Sequence, residues 1–233
     1  MSGAKRHRLP FPILYEDRDV IVIDKPAGLL TTHTHLAGRA AREAQTTAEN
    51  LLNDHVRKGQ AKSRLRVWLV HRLDRETSGV MMFAKSEAVA ERFRADWNAL
   101  TEKTYLARVV GTLTDESGAY ESHLLEDEDG YRMRSVDPKR VRGGRTAKLA
   151  RTEWRKLSEL DGTTLVEVKL KSGRKNQIRV HFSEAGHPVV GDVKYGGPKA
   201  SRLYLHALRL RFRHPEDDRW LQFEAERPER GFE

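Results

Sequence analysis

The chain contains no cysteine at all. Disulfides, thiolate nucleophiles and cysteine-ligated metals are therefore excluded, and a reducing cytosol is the expected compartment. Long apolar runs are also missing. None approaches the roughly 18 residues that a membrane helix needs. The first residues, MSGAKRHRLPF, are basic but have no apolar stretch behind them, so no secretory signal is expected. There is no internal repeat and no low-complexity linker.

What is present is charge, mostly of one sign. Lys and Arg number 43 against 34 acidic residues, a net charge of +9, with a pI near 9.8. Such a surplus favours polyanions, and for an intracellular protein the usual polyanion is nucleic acid. A hydrophobic fraction of 38% with 33% charged residues suits a globular chain, and 233 residues can bury a real core.

The pattern along the chain alternates strand and helix signals. A strand is expected from Val20 to Ile23, closed by Pro26-Ala27-Gly28. Ala48, Leu51, Leu52 and Val56 fall at helical spacing, with Gly59 as the stop. Strands are expected at Trp68–Leu73 and Gly79–Ala84. Ser86 is placed to cap one helix with an apolar stripe of Val89, Phe93, Trp97 and Leu100. Lys103–Gly111 returns to strand. The polar region from Tyr120 to Arg151, with acidic residues 126–129 and a basic run from Lys139 to Lys148, reads as short strands and loops. Leu165–Leu170 alternates, with Val166, Val168 and Leu170 on one face. NQIRVHFSEAG reads as a helix with Ile178, His181, Phe182 and Ala185 on one stripe and Gly186 and Pro188 ending it. Leu208, Leu210 and Phe212 alternate with Arg209, Arg211 and Arg213, a half-buried strand with a basic outer face. The expectation is a mixed α/β (α+β) fold built on a mainly antiparallel sheet.

One stretch stands apart: LVHRLDRETSGVMMF, residues 69–83. An apolar run stops at Asp74, which lies between Arg72 and Arg75, turns through Thr-Ser-Gly and becomes apolar again. HRLDR is not the kinase HRD loop, because Leu73 intervenes, no Gly-rich phosphate loop precedes it and no DFG follows. Asp74 with Glu76 could form a glycosidase-like pair, but their spacing beside a turn favours a solvated Glu76. His33 and His35 are two ligands without a third, which makes a loop and not a metal site. His181 and His206 read as hydrogen-bonded core histidines. Tyr105, in KTYLARV, could be strand packing alone. Arg140, Arg142 and Arg145, set around Gly143 and Gly144, could be a solvated loop or a phosphate clamp, and the net charge favours the clamp.

Taken together, these motifs resemble the RluA family of RNA pseudouridine synthases. HRLDRETSG (71–79) is similar to that family's aspartate signature, KTYLARV to its tyrosine motif, and SGRKNQIRVHF (172–182) to its basic motif. GHPVVGDVKYG and LYLHALRL follow in the family's order, and ILYEDRDVIVIDKPAGLL resembles its opening strand. The resemblance runs from about Ile13 to Pro215. It departs at Lys175-Asn176, where the family usually carries Thr-His. An N-terminal S4 RNA-binding domain, common among relatives, is not expected, since the opening strand begins by Ile13.

The resemblance implies a pseudouridine synthase fold split by a basic catalytic cleft, with residues 1–12 a basic tail and 13–233 one catalytic domain. It implies isomerisation of uridine to pseudouridine in structured ribosomal or transfer RNA, without cofactor or metal. Asp74 would be the catalytic carboxylate, Arg179 its ion-pair partner, and Tyr105 would lie against the uracil and help handle the displaced proton. Arg72 would share a side with Asp74 on an extended strand and fill the stack left by the flipped base. Arg75, Lys103, Arg140, Arg142, Arg145, Arg174 and Lys175 would contact RNA. A cytoplasmic monomer without membrane partners is expected. The rivals are a non-catalytic RNA-binding or chaperone module on the same scaffold, and a glycosidase acting on free nucleosides. An intact Asp74, Tyr105 and Arg179 speaks against the first. The basic surface, which a neutral small substrate does not need, speaks against the second.

Overall fold

The computed structural model describes residues 9–33, 45–58, 60, 62–127, 132–228 and 231–232. His35, most of the basic tail, Gly59 and residues 128–129 of the acidic run lie outside them. The chain divides into two compact units, Met1–Thr101 with Arg209–Glu226, and Glu102–Leu208 with Arg227–Glu233.

In the first unit, β1 (Ile13–Glu16) pairs antiparallel with β2 (Val20–Lys25), and β2 pairs antiparallel with β4 (Ser78–Ala84). β3 (Trp68–Leu69) also pairs with β4. The order continues to β10 (Leu205–Arg213), which pairs with β11 (Trp220–Glu224). The unit boundary falls inside β10, after Leu208. Every residue of β4 is buried. Val20, Val22, Val80, Met82, Phe93, Leu210, Phe212 and Ala225 form the core around it.

Helix α1 (Ala48–Arg57) begins where Thr47 accepts the Asn50 N–H at 3.1 Å, and it buries Ala48, Leu52 and Val56. Its C-cap is Lys58 in the left-handed region, φ 50°. Ser86 caps α2 (Glu87–Ala95) through the Val89 N–H at 3.3 Å. The expected single helix through Leu100 is in fact two. Asp96, at φ −141°, breaks it, and Trp97–Leu100 forms a separate turn, α3. The break has a packing reason: the Trp97 ring stacks on His71 with centroids 4.5 Å apart.

The second unit carries the order β5 (Thr101–Val110), β9 (Thr163–Leu170), β8 (Lys148–Leu160), β6 (Ser117–Glu126) and β7 (Met133–Val136). Each neighbouring pair in this order is antiparallel. The region read as short strands and loops thus contains most of β6, all of β7 and the start of β8, a long partner of β6. Their polar outer residues hid the pairing, because burial alternates only weakly there. Gly118 has a specific reason: a Cβ would stand 2.8 Å from the Trp154 ring. Helix α4 (Gln177–Glu184) follows, burying Ile178, His181 and Phe182, whereas Ala185, expected on that stripe, is exposed beyond the helix end.

The basic outer face of β10 is partly neutralised. Arg209 bonds Glu224 at 2.9 Å, Arg213 approaches Asp218 at 3.6 Å, and Arg211 and Arg213 lie over the Trp220 ring at 4.3 and 4.7 Å.

Candidate active site

The Asp74 loop is the first part. The strand expected through Leu73 stops at Leu69 because its backbone partners are replaced. His71 Nε2 accepts the Met82 N–H at 3.0 Å, which places its ring proton on Nδ1. The Thr31 hydroxyl donates to the Leu73 carbonyl at 2.8 Å and accepts the Leu73 N–H at 3.3 Å. Beyond Asp74, the Arg75 carbonyl accepts from the Gly28 N–H at 2.8 Å and from Lys25 Nζ at 3.2 Å. Arg75 Nε returns to the Gly28 carbonyl at 3.1 Å. The Asp74 carbonyl closes a turn onto the Thr77 N–H at 3.2 Å.

Lys25 is fully buried, and its ammonium also donates to the carbonyls of Pro26 and Leu29 at 2.9 and 2.8 Å. A cation in that position is tolerable because carbonyl dipoles replace its water. Gly28, at φ +87°, makes the turn that brings its N–H to Arg75. Asp74 is therefore fixed through the backbone on both sides, with its side chain half-buried. Arg72, Arg75 and Glu76 are exposed, and Leu73 and Thr77 are buried. The same-side argument for Arg72 and Asp74 loses its basis, since neither lies on a strand.

The second unit holds the other expected residues. Tyr105 and Lys103 sit two apart on β5, both nearly buried, and so share a face. Burial, with Arg174 nearby, lowers the Lys103 pKa to about 8. A Cβ on Gly173 would lie 3.8 Å from its Nζ, so the ammonium stands close to this glycine. Arg174 Nε bonds the Leu149 carbonyl at 3.1 Å, and Lys175 pairs with Glu126. Gln177 is buried with all its polar capacity in use: Ser172 and the Arg174 N–H donate to Oε1, and Nε2 donates to the Arg151 carbonyl and to Thr152.

Arg179 makes a two-pronged ion pair with Asp192, Nε to Oδ2 at 2.6 Å and Nη2 to Oδ1 at 2.7 Å. Both side chains are buried. The Tyr195 N–H reaches Asp192 Oδ1 at 3.3 Å, and the Arg179 guanidinium lies 5.1 Å from the Tyr195 ring centre. The Tyr195 hydroxyl donates to Asn176 Oδ1 at 3.1 Å and accepts the Met133 N–H at 2.9 Å. Asn176 sits at φ 51°, where asparagine is tolerated, and also accepts from Lys194 Nζ at 3.4 Å. The departure from Thr-His thus has a structural use of its own.

Asp192, Tyr195, Lys25 and Thr31 carry no role in the sequence reading. Asp192 had a signal, being the one carboxylate in GHPVVGDVKYG. Lys25 looked like the end of an apolar strand, and only the carbonyl cage shows its purpose. His181 is a core histidine as expected, bonded to Thr152 at 2.8 Å and Ser122 at 3.0 Å, with burial lowering its pKa. His206 is buried, and burial with Arg202 and Arg227 takes its pKa down to about 4. His33 bonds Asn50 at 3.1 Å. Among the described residues no group of three His, Asp or Glu could hold a metal ion, and no helix is long and apolar enough to cross a membrane.

The family model described as RNA pseudouridylate synthase matches residues 19–184. The chain belongs to the RluA family of RNA pseudouridine synthases. As a member, it is an isomerase acting on RNA. It is 34% identical over 220 residues to the dual-specificity RNA pseudouridine synthase RluA of Yersinia pestis, covering 92% of this chain and 98% of that one. It is 30% identical to ribosomal large subunit pseudouridine synthase C of Vibrio parahaemolyticus, over 91% of this chain and 64% of that protein. Among solved structures, human RNA pseudouridylate synthase domain containing 4 matches with a TM-score of 0.71 at 26% identity, over 94% of this chain and 89% of that one. The pseudouridine synthase fold expected from the motifs is the fold observed.

Proposed function

We propose that this pseudouridine synthase modifies uridines in structured ribosomal or transfer RNA, with Asp74 as the catalytic carboxylate. The observation that carries the reading is the double backbone clamp, Thr31 on Leu73 and Lys25 with Gly28 on Arg75. A side chain presented from a loop reaches catalytic precision only when the loop itself is fixed.

In the reaction the C1′–N1 bond breaks, the uracil turns, and a C1′–C5 bond forms. The proton on C5 leaves and N1 gains one, so the product is an isomer. The ionised Asp74 works beside the glycosidic bond, where its charge answers the electron deficiency that appears as N1 departs. Arg179 serves as the cationic counterpart of that carboxylate. Asp192 supports this role by fixing the guanidinium's plane and rotamer. Tyr105 lies against the ring and assists removal of the C5 proton. The target base leaves its stack first, at a cost of a few kcal/mol, which suits a chain this rich in cations. The similarity to a ribosomal large subunit enzyme supports ribosomal RNA as a substrate, and the similarity to a dual-specificity enzyme supports more than one kind of target.

The test is Asp74→Asn, which keeps the shape and removes the charge. Tritium release from 5-labelled uridine RNA falls by roughly four orders of magnitude or more, while RNA binding survives. Appreciable turnover by the variant rejects the assignment. A wild-type chain that binds RNA and releases no tritium from ribosomal or transfer RNA returns the choice to the binding module.

A further inference from the structure

Between β7 and β8 the second unit contains a cavity of about 690 Å³. Arg134, Arg140, Arg142 and Arg145 line it, and Asp137 is the sole carboxylate among its lining residues. Neither Tyr105, Lys103 nor Arg179 contributes to it. Four guanidiniums around one space repel one another, and Asp137 offsets little, with Arg140 3.6 Å from it. The arrangement concentrates positive charge and so attracts an anion.

The wall is built, and not merely a basic loop. The Ser135 N–H donates to Glu184 Oε1 at 2.9 Å, the Ser135 hydroxyl bonds the other Glu184 oxygen, and Ser122 Oγ stands 2.7 Å from Ser135 Oγ. The Met133 N–H is held by the Tyr195 hydroxyl. Glu184 ends the helix that carries Arg179, and Tyr195 lies against Arg179 itself. An anion in this cavity is therefore held in fixed register with Arg179. Arg142 is itself oriented, its Nη1 donating to the Lys139 carbonyl at 2.9 Å. Planar guanidinium forks match phosphate oxygens two at a time.

We propose that this cavity binds the sugar–phosphate backbone of the substrate RNA at a segment other than the one that carries the reacting uridine. The proposal rests on the reading above for the identity of the RNA and extends it to a second contact. It makes the enzyme sensitive to RNA beyond the flipped base, because a strand too short to reach the cavity forfeits those phosphates.

The experiment measures binding of unfractionated transfer RNA by the whole chain as a function of salt. Arg140→Gln with Arg142→Gln removes two exposed cations, so the fold stays intact by circular dichroism. The slope of log affinity against log salt becomes shallower by about 1.4, two contacts at roughly 0.7 each, and affinity at physiological salt falls on the order of tenfold. A comparison pair, Arg155→Gln with Lys169→Gln, removes the same charge from β8 and β9 and leaves the slope unchanged. An unaltered slope in the first pair overturns the proposal, as does an equal loss in the comparison pair. Binding is read without turnover. A wild-type chain that shows the cavity-dependent slope but forms no pseudouridine in transfer RNA leaves the cavity standing and rejects that RNA as the target.

Discussion

In the first unit Asp74 is positioned by what grips its neighbours' backbone: a threonine hydroxyl on Leu73, a buried ammonium and a glycine amide on Arg75. In the second unit Arg179 is gripped by its own side chain, two nitrogens on Asp192, with the Tyr195 ring centre 5.1 Å from its guanidinium carbon. The difference suits the chemistry proposed for Asp74 and Arg179. A carboxylate that must act on a substrate is best fixed through its loop, while a cation that only has to stay in place can spend donors on a permanent partner. One is rigid through hydrogen bonds to backbone groups, some of them from a buried ammonium, and the other through a buried ion pair, and the two fail differently.

The largest effect separating them comes from Asp192→Ala. It leaves the Arg179 charge buried without its two-oxygen acceptor, and breaking such a pair costs about 3–5 kcal/mol. Chemical denaturation measures the loss, and turnover falls with it. Asp192→Asn, which keeps one acceptor oxygen, recovers part of both. Equal stability of wild type and Asp192→Ala would mean that Arg179 does not depend on the pair. Next comes Lys25→Met, which removes the donor from three carbonyls at once and costs about 3 kcal/mol. Thr31→Val, nearly isosteric, costs about 1 kcal/mol, yet lowers kcat with little change in KM because it frees the Leu73 peptide. If Thr31→Val changes stability and leaves kcat alone, the backbone clamp has no catalytic meaning.

The smallest effect concerns pH. Lys103 is pushed down to about 8 from 10.5 by burial and by Arg174. The folded chain therefore releases this proton near pH 8, whereas the unfolded chain keeps it to about 10.5. Between those values the unfolded state binds more protons, so this group's contribution to stability rises with pH. The phosphate contact expected of Lys103 would need the charge, and so would weaken over the same window. RNA affinity of the wild type should decline above pH 8 by a few-fold, about the value of one phosphate contact, and Lys103→Met should flatten the curve. A decline of equal size in Lys103→Met removes Lys103 from the contact.

How far the sequence could carry these conclusions depended on whether the signal was local. The strand and helix periods around Val20, Ala48, Phe93 and Phe212 were legible because one face of each element is buried, and the HRLDRETSG motif was legible because its residue types are so specific. The end of β3 at Leu69 was not, since it depends on His71 and Thr31 taking the backbone donors and acceptors that a strand would use. Asp192 lies 13 positions from Arg179, and no periodicity links a helix residue to a later turn. The break at Asp96 was hidden for the same reason, since it depends on the contact of Trp97 with His71.

The path of β10 and β11 bears on how the chain is made. The first unit consists of Met1–Thr101 and Arg209–Glu226, so its core waits for Leu210, Phe212 and Ala225 while the whole of Glu102–Leu208 is synthesised. At about 5–20 residues per second, that interval lasts roughly 5–20 s on the ribosome. Throughout it, β4 with its unbroken apolar sequence has no β10 beside it. The second unit emerges as one continuous stretch apart from Arg227–Glu233, whose Phe232 joins Leu106, Leu165 and Leu208 in that unit's core last. Both units therefore close only after Leu208 has been made, and β4, which follows the Asp74 loop, waits without β10 throughout that interval.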